Sequence, residues 1–249
     1  LLKLYLYFII RNIKKNMLKN KTVLITGAAR GIGWATAQWL AEQGFNLILI
    51  DKTKGVWQKQ ADKLAKDKQV RVLTYIIDLT KVSAIKRLAS KLKNVKVDVL
   101  VNNAGVVVVG ELVDYADKMI ELTLDVNLKA MIFITKYLLP NLEKNKGLVI
   151  NISSGAGLVG KKEFSVYCAS KFGVIGFSQA LAKDLKKVKV LSLTPGATNT
   201  NLFKKAFKKG RKALYQPADI ACIIGETIMH HKRYKTGEIV DRCEHLERK

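Results

Sequence analysis

From Thr22 onward, short apolar runs alternate with segments whose apolar residues recur every three or four positions. The runs Thr22–Thr26, Asn46–Asp51, Arg71–Ile77, Val97–Val101, Leu148–Ile152, Lys189–Leu193 and Glu238–Asp241 predict strands. Helical periodicity covers Ile32–Gln43, Val56–Asp67, Val82–Leu92, Val166–Leu185 and Asp219–His231, and a longer stretch, Asp114–Glu143, is expected to break near Asp125. The strands are short and apolar on both faces, as in a parallel sheet covered by helices on both sides. Strand–helix repetition of this kind predicts an α/β fold with one doubly wound, seven-stranded parallel sheet. No internal repeat, low-complexity block or linker divides residues 17–249, which are read as a single domain. The leading segment "LLKLYLYFIIRNIKKN" (1–16) stands apart. Its apolar run, Leu4 to Ile10, is far shorter than the roughly 20 residues needed to span a bilayer. It is expected to lie outside the fold, with at most a weak role at a membrane, and Met17 opens the strand-bearing part.

Composition changes this picture little. Of 249 residues, 49% are apolar and three are proline, which suits a folded body with a large core. The three cysteines, Cys168, Cys222 and Cys243, are far apart in sequence and form neither a disulfide framework nor a ligand spacing, consistent with a reducing cytoplasm. His230 and His231 lack nearby partner ligands, as does His245, so no metal site is expected. The net charge of +24 admits nucleic acid or anionic surfaces as partners. However, the lysines are spread over nearly every helical segment, which fits solvated helix faces, and no nucleic-acid motif is present. One dense run, Lys204, Lys205, Lys208, Lys209, Arg211 and Lys212, is the exception.

Two stretches carry chemistry. In "TGAARGIG" (26–33), glycines fall where the first strand turns into the first helix, allowing a tight turn and offering free N–H groups to a diphosphate. Asp51, at the end of the second strand, stands where a carboxylate can accept hydrogen bonds from an adenosine ribose. In "SVYCASK" (165–171), Tyr167 and Lys171 lie four apart and share a helix face. A cation within about 4–6 Å of a phenol favours the phenolate and lowers its pKa by roughly 1–3 units, so Tyr167 is expected to act as a general acid or base near neutral pH.

The glycine spacing T-G-x-x-x-G-x-G resembles that of the short-chain dehydrogenase/reductase family, and the resemblance runs from Met17 to about Asp241. "DLT" at Asp78, "NNAG" at Asn102–Gly105, "DVN" ending in Asn127, "NISS" ending in Ser154, "YCASK", and "PGATNT" at Pro195–Thr200 follow in the family's order. The resemblance implies a Rossmann-type domain that transfers a hydride between a nicotinamide cofactor and a carbonyl or secondary alcohol. By the same resemblance, Ser154, thirteen residues before Tyr167, holds the substrate oxygen, and Tyr167 exchanges its proton. Lys171 tunes Tyr167 and holds the nicotinamide ribose, and Asn127 fixes a water that links Lys171 to solvent. Cofactor contacts are expected from Gly27, Arg30, Gly31, Ile32, Gly33, Asp51, Lys52, Asp78, Leu79, Asn103, Ala104, Gly105, Tyr167, Lys171, Pro195, Gly196, Thr198 and Thr200. Asp51 repels a 2′-phosphate and favours NAD, whereas Arg30 and Lys52 could neutralise one and admit NADP.

The family resemblance also implies a homodimer or homotetramer packed through helices around Ala116–Lys144 and Val166–Lys183. The segment after Thr200 is short, and the family's usual Gly-Gly near the C-terminus is missing, which leaves substrate enclosure open. Leu202, Phe203, Ala206 and Phe207 recur at helical spacing, with lysines on the other face. One reading is a solvated surface helix. The other is a roof for an apolar substrate whose basic rim attracts an acidic carrier, as in a 3-oxoacyl thioester reductase. The competing functional class is a catalytically idle scaffold or nucleic-acid-binding relative, against which the complete set Asn127, Ser154, Tyr167 and Lys171 argues.

Overall fold

The structure, a computed structural model, describes residues 20–207 and 212–241. The leading segment 1–16, Lys208, Lys209 and Arg211 of the basic run, Cys243 and His245 lie outside the described residues. Seven parallel strands form one sheet: β1 (Thr22–Thr26), β2 (Asn46–Asp51), β3 (Val72–Ile76), β4 (Val99–Asn102), β5 (Leu148–Ile152), β6 (Lys189–Thr194) and β7 (Ile239–Asp241). Their order is β3-β2-β1-β4-β5-β6-β7. The chain runs outward in one direction through β1, β2 and β3, then returns to place β4 on the other side of β1. Ligands of such sheets bind where the direction of winding reverses, at the C-terminal ends of the strands. Here that point lies between β1 and β4.

The inner strands β1, β4 and β5 are buried along their whole length. Helices α1 (Gly31–Glu42), α2 (Trp57–Lys68) and α8 (Pro217–Met229) cover one face, while α3 (Val82–Lys91), α5 (Ala130–Lys144) and α6 (Ser165–Asp184) cover the other. Removing this apolar surface from water is the main term that holds the layers together. Close packing is sharpest between α1 and α8. A methyl placed on Gly225 would lie 2.1 Å from the Trp39 ring, so the missing side chain is what lets the indole lie on α8. No helix among the described residues is long and apolar enough to cross a membrane.

The break expected near Asp125 takes the form of a change of helix type. The chain stays helical from Asp117 through Lys144, passing from α4 (Asp117–Leu124) into a π-helical turn, Asp125–Lys129, and on into α5. The wider ring of a π turn lets a residue swing out of register, and that residue is Asn127, which is buried with its amide fully engaged by neighbouring segments. Periodicity registers such a turn as an interruption of the helix.

Candidate active site

The glycine turn between β1 and α1 depends on residues without side chains. Gly27 and Gly31 take φ of +65° and +58°, a left-handed backbone that side chains disfavour. A methyl on Gly33 would stand 2.3 Å from the Gly27 carbonyl oxygen, so α1 can lie this close to the turn only with glycine there. Arg30 precedes α1 in an extended conformation without capping the helix, and its side chain is exposed. The N–H groups of the first turn, from Gly31 through Ile32 to Gly33, therefore receive no side-chain cap from the residue before the helix. Such a cradle fits a dinucleotide diphosphate.

The turn is held from the end of the neighbouring strand β4. The Thr26 hydroxyl accepts the N–H groups of Asn103 and Ala104, both at 3.0 Å, and the Asn103 side chain donates to the carbonyls of Thr26 at 2.9 Å and Gly27 at 3.2 Å. Asp51 closes the other side: its carboxylate accepts the Ala29 N–H at 3.1 Å and the Thr53 N–H at 2.9 Å. Lys52 and Asp78 are exposed beyond it. Partial burial pushes the Asp78 carboxyl upward. The hydroxyl and N–H of Thr80, together with the charges of Lys52 and Lys81, outweigh this and hold it below its ordinary value. Leu79 lines the hollow beneath Ala104 and Asn127. Thr198 is buried and donates to the Gly196 carbonyl at 2.8 Å, just past Pro195, while Thr200 caps the short helix α7 (Asn201–Ala206) and lies against Gly31.

The four groups of the expected tetrad come from β5, the turn after it, the π turn and α6. Neighbouring serines take different tasks. Ser153 is buried and donates to the Lys171 carbonyl at 2.9 Å, so its hydroxyl is committed to the helix. Ser154, partly exposed, accepts the Ala156 N–H at 3.2 Å and hydrogen-bonds the Tyr167 phenol. Lys171 is buried, donates to the Ile152 carbonyl at 2.9 Å, and lies 5.8 Å from the centre of the Tyr167 ring. Gly105 adjoins both Asn127 and the Lys171 ammonium, where a methyl would lie 3.4 Å and 3.7 Å from them. The Asn127 amide accepts the Val106 N–H at 2.8 Å and donates to the Val106 carbonyl at 2.9 Å and to Ser170 at 3.0 Å.

The charge states differ from expectation. Burial pushes the Tyr167 phenol up to about 12, against the lowering effect of its Ser154 hydrogen bond, and burial pulls Lys171 down to about 8. The expected lowering of Tyr167 by the lysine charge is not what dominates, because removing both groups from water favours their neutral forms more strongly. Amine with phenol and ammonium with phenolate nevertheless hold the same number of protons. The pair therefore loses its first proton as a unit, with Lys171 setting the value near 8.

Several groups at the site carry no periodic signal and were not read from the sequence. Ala156, Phe164 and Cys168 form a small cluster against Val107, Val109, Ala206, Phe207 and Tyr167 itself. Phe164 lies 5.5 Å from Phe207 and 6.1 Å from Tyr167, so the apolar face expected after Thr200 reaches the tyrosine through one intervening ring. Tyr115 closes the other wall, its hydroxyl shared between the carbonyls of Val108 at 3.2 Å and Glu163 at 2.9 Å.

Comparison with known proteins fits this geometry. The family model for short chain dehydrogenases matches residues 21–211. This chain belongs to the short-chain dehydrogenase family. An uncharacterised oxidoreductase of Staphylococcus saprophyticus is 34% identical over 82% of this chain and 89% of its own. The 3-oxoacyl-[acyl-carrier-protein] reductase of Thermotoga maritima is 31% identical, over 90% of this chain and 96% of its own. An alcohol dehydrogenase from the archaeon Thermococcus sibiricus, solved with 5-hydroxy-NADP, superposes with a TM-score of 0.83 at 25% identity, over 90% of this chain and 96% of that one. The chain is an oxidoreductase of this short-chain dehydrogenase type.

Proposed function

We propose that this oxidoreductase interconverts a carbonyl compound and its secondary alcohol with a nicotinamide cofactor, using Ser154, Tyr167 and Lys171 as its reacting groups and Asn127 to hold them. The observation that carries this reading is the convergence of the Ser154 hydroxyl, the Tyr167 phenol and the Lys171 amine beside the glycine cradle. The nicotinamide ring, when bound, supplies or accepts the hydride. Ser154 and Tyr167 together present hydroxyls to one substrate oxygen, and the phenol gives or takes its proton. Lys171, anchored on Ile152, passes that proton on. Asn127 keeps Val106 and α6 in register, so these distances persist through turnover.

NAD is the favoured cofactor. Both Asp51 oxygens are tied to backbone N–H groups beside the phosphate turn, which fixes a negative charge at the ribose position. Lys52 acts on Asp78. The 5-hydroxy-NADP bound by the Thermococcus enzyme is the observation on the other side. The substrate is a small carbonyl or alcohol, with a carrier-linked 3-oxoacyl thioester as the candidate that the Thermotoga relative and the exposed Lys204 and Lys205 support. A second copy of the chain is the expected partner, since Leu124 on α4 and Phe172 on α6 are exposed on the two helical regions expected to pair.

A screen of ketones and secondary alcohols with NAD(H) and NADP(H), followed at the absorbance of the reduced ring, tests the reading. Turnover that vanishes in Tyr167→Phe while cofactor binding stays is expected. Cofactor binding with no turnover of any substrate would overturn it.

A further inference from the structure

The turn after Ser154 is tied down in an unusual way. Glu163 takes φ +65°, uncommon for a side-chain-bearing residue. Its carbonyl accepts both the Gly110 N–H at 3.0 Å and the Tyr115 hydroxyl, and the Lys161 carbonyl accepts the Phe164 N–H at 3.1 Å. The loops carrying Gly110 and Glu163 are thus clamped together through a backbone conformation that glycine would adopt more easily. The outcome of that folding is the placement of Lys161. Beyond the residues adjoining Gly155 in the chain, its ammonium is the group that comes nearest the place a methyl on Gly155 would fill, at 4.0 Å. Gly155 directly follows Ser154, so an open space floored by glycine lies beside the substrate-oxygen donor, with a cation across it. Lys161 forms no ion pair among the described residues.

We infer that Lys161 seats an anionic group of the substrate, so that the enzyme acts on oxo or hydroxy compounds that pair an apolar body with an anion close to the reacting carbon. This rests on the carbonyl–alcohol reading above and names the substrate class for it. The apolar body packs against Phe164, Phe207, Val107 and Val109. The anion meets the exposed ammonium at the rim of the site, in a charge-assisted contact. Two sources share this chemistry: the carboxylate of a free oxo acid and the phosphates of a carrier thioester. The closeness of Lys161 to Ser154 suits an anion a few bonds from the carbonyl, and so the carboxylate.

The test compares free 3-oxohexanoate, its neutral ethyl ester and its coenzyme A thioester, with wild type, Lys161→Ala, Lys161→Glu and Lys161→Arg. The wild-type ratio of kcat/KM for acid over ester is expected to fall at least about tenfold in Lys161→Ala, through KM, further in Lys161→Glu, and to recover in Lys161→Arg. A fall confined to the thioester would assign the anion to carrier phosphates, whereas ratios unchanged in every variant would overturn the inference while leaving the redox reading intact. If none of the three compounds is turned over, the seat is judged by melting temperature with cofactor present. Stabilisation of wild type but not of Lys161→Ala by 3-hydroxyhexanoate upholds it, and equal stabilisation of both refutes it.

Discussion

Asn127 clasps the backbone of Val106 from both sides, accepting its N–H at 2.8 Å and donating to its carbonyl at 2.9 Å. Asparagine alone among similar-sized side chains offers one donor and one acceptor on the same planar group. Asn127→Asp keeps the size but replaces the donating NH2 with an oxygen that faces two acceptors, the Val106 carbonyl and the Ser170 oxygen, whose hydroxyl is already donated to the Tyr167 carbonyl. Each buried group left unsatisfied costs about 1–3 kcal/mol. Asn127→Asp is therefore expected to lower the melting temperature and reduce kcat by an order of magnitude or more. A variant with unchanged kcat would show that the clasp does not position the tetrad.

If Tyr167 and Lys171 handle the proton as proposed, their shared inventory should set the pH profile. Alcohol oxidation needs the pair one proton short, so its kcat should rise tenfold per pH unit below about 8 and level off above. Carbonyl reduction should run the opposite way. In Lys171→Met the phenol alone remains, pushed up to about 12, and oxidation should still be climbing at pH 10. A profile that levels near 8 in this variant would place the titrating group elsewhere.

Stability carries the same signature with a definite sign. Burial holds Lys171 at about 8 in the fold, below its ordinary 10.5, so between these values the unfolded chain holds more protons and stability rises with pH. Below pH 8 the full cost of burying the ammonium, about 3 kcal/mol, is present. Lys171→Met, which removes the charge but keeps most of the length, should therefore melt higher than wild type at pH 7, with the gap closing toward pH 10. A lower melting temperature at pH 7 would contradict this.

Gly225 and Trp39 test the packing of α8 on α1. Gly225→Ala drives a methyl to within 2.1 Å of the indole, an overlap typical of overpacked cores that cost about 1–3 kcal/mol. Combining it with Trp39→Leu should recover part of the loss, and denaturant unfolding of the double-mutant cycle measures the coupling. Strict additivity would mean the indole moves aside freely.

Much of this was legible in the chain because the signals were local. Strand runs predicted the sheet since parallel strands buried on both faces must be apolar throughout, as Leu24, Leu100 and Ile150 are. The glycines of the turn were legible because a left-handed backbone and a helix packed on its own turn leave few other choices. What escaped lay in contacts between distant loops. Neither the Tyr115 latch on Glu163 nor the engagement of Ser153 with Lys171 leaves any trace in spacing. The sign of the Tyr167 shift escaped for a different reason. A cation at four residues' distance is visible in sequence, but the burial that outweighs it is a property of the assembled core.

The Thr26 hydroxyl receives N–H groups from residues 77 and 78 positions further along the chain. The glycine turn thus has no mature form while the first hundred residues of the chain are alone, for instance on a ribosome. It gains its props only once β4 has docked beside β1, a late and non-local event. Cofactor affinity in this protein is therefore a reporter of whole-sheet assembly: on titration with denaturant, it should disappear together with the global unfolding transition and not before it.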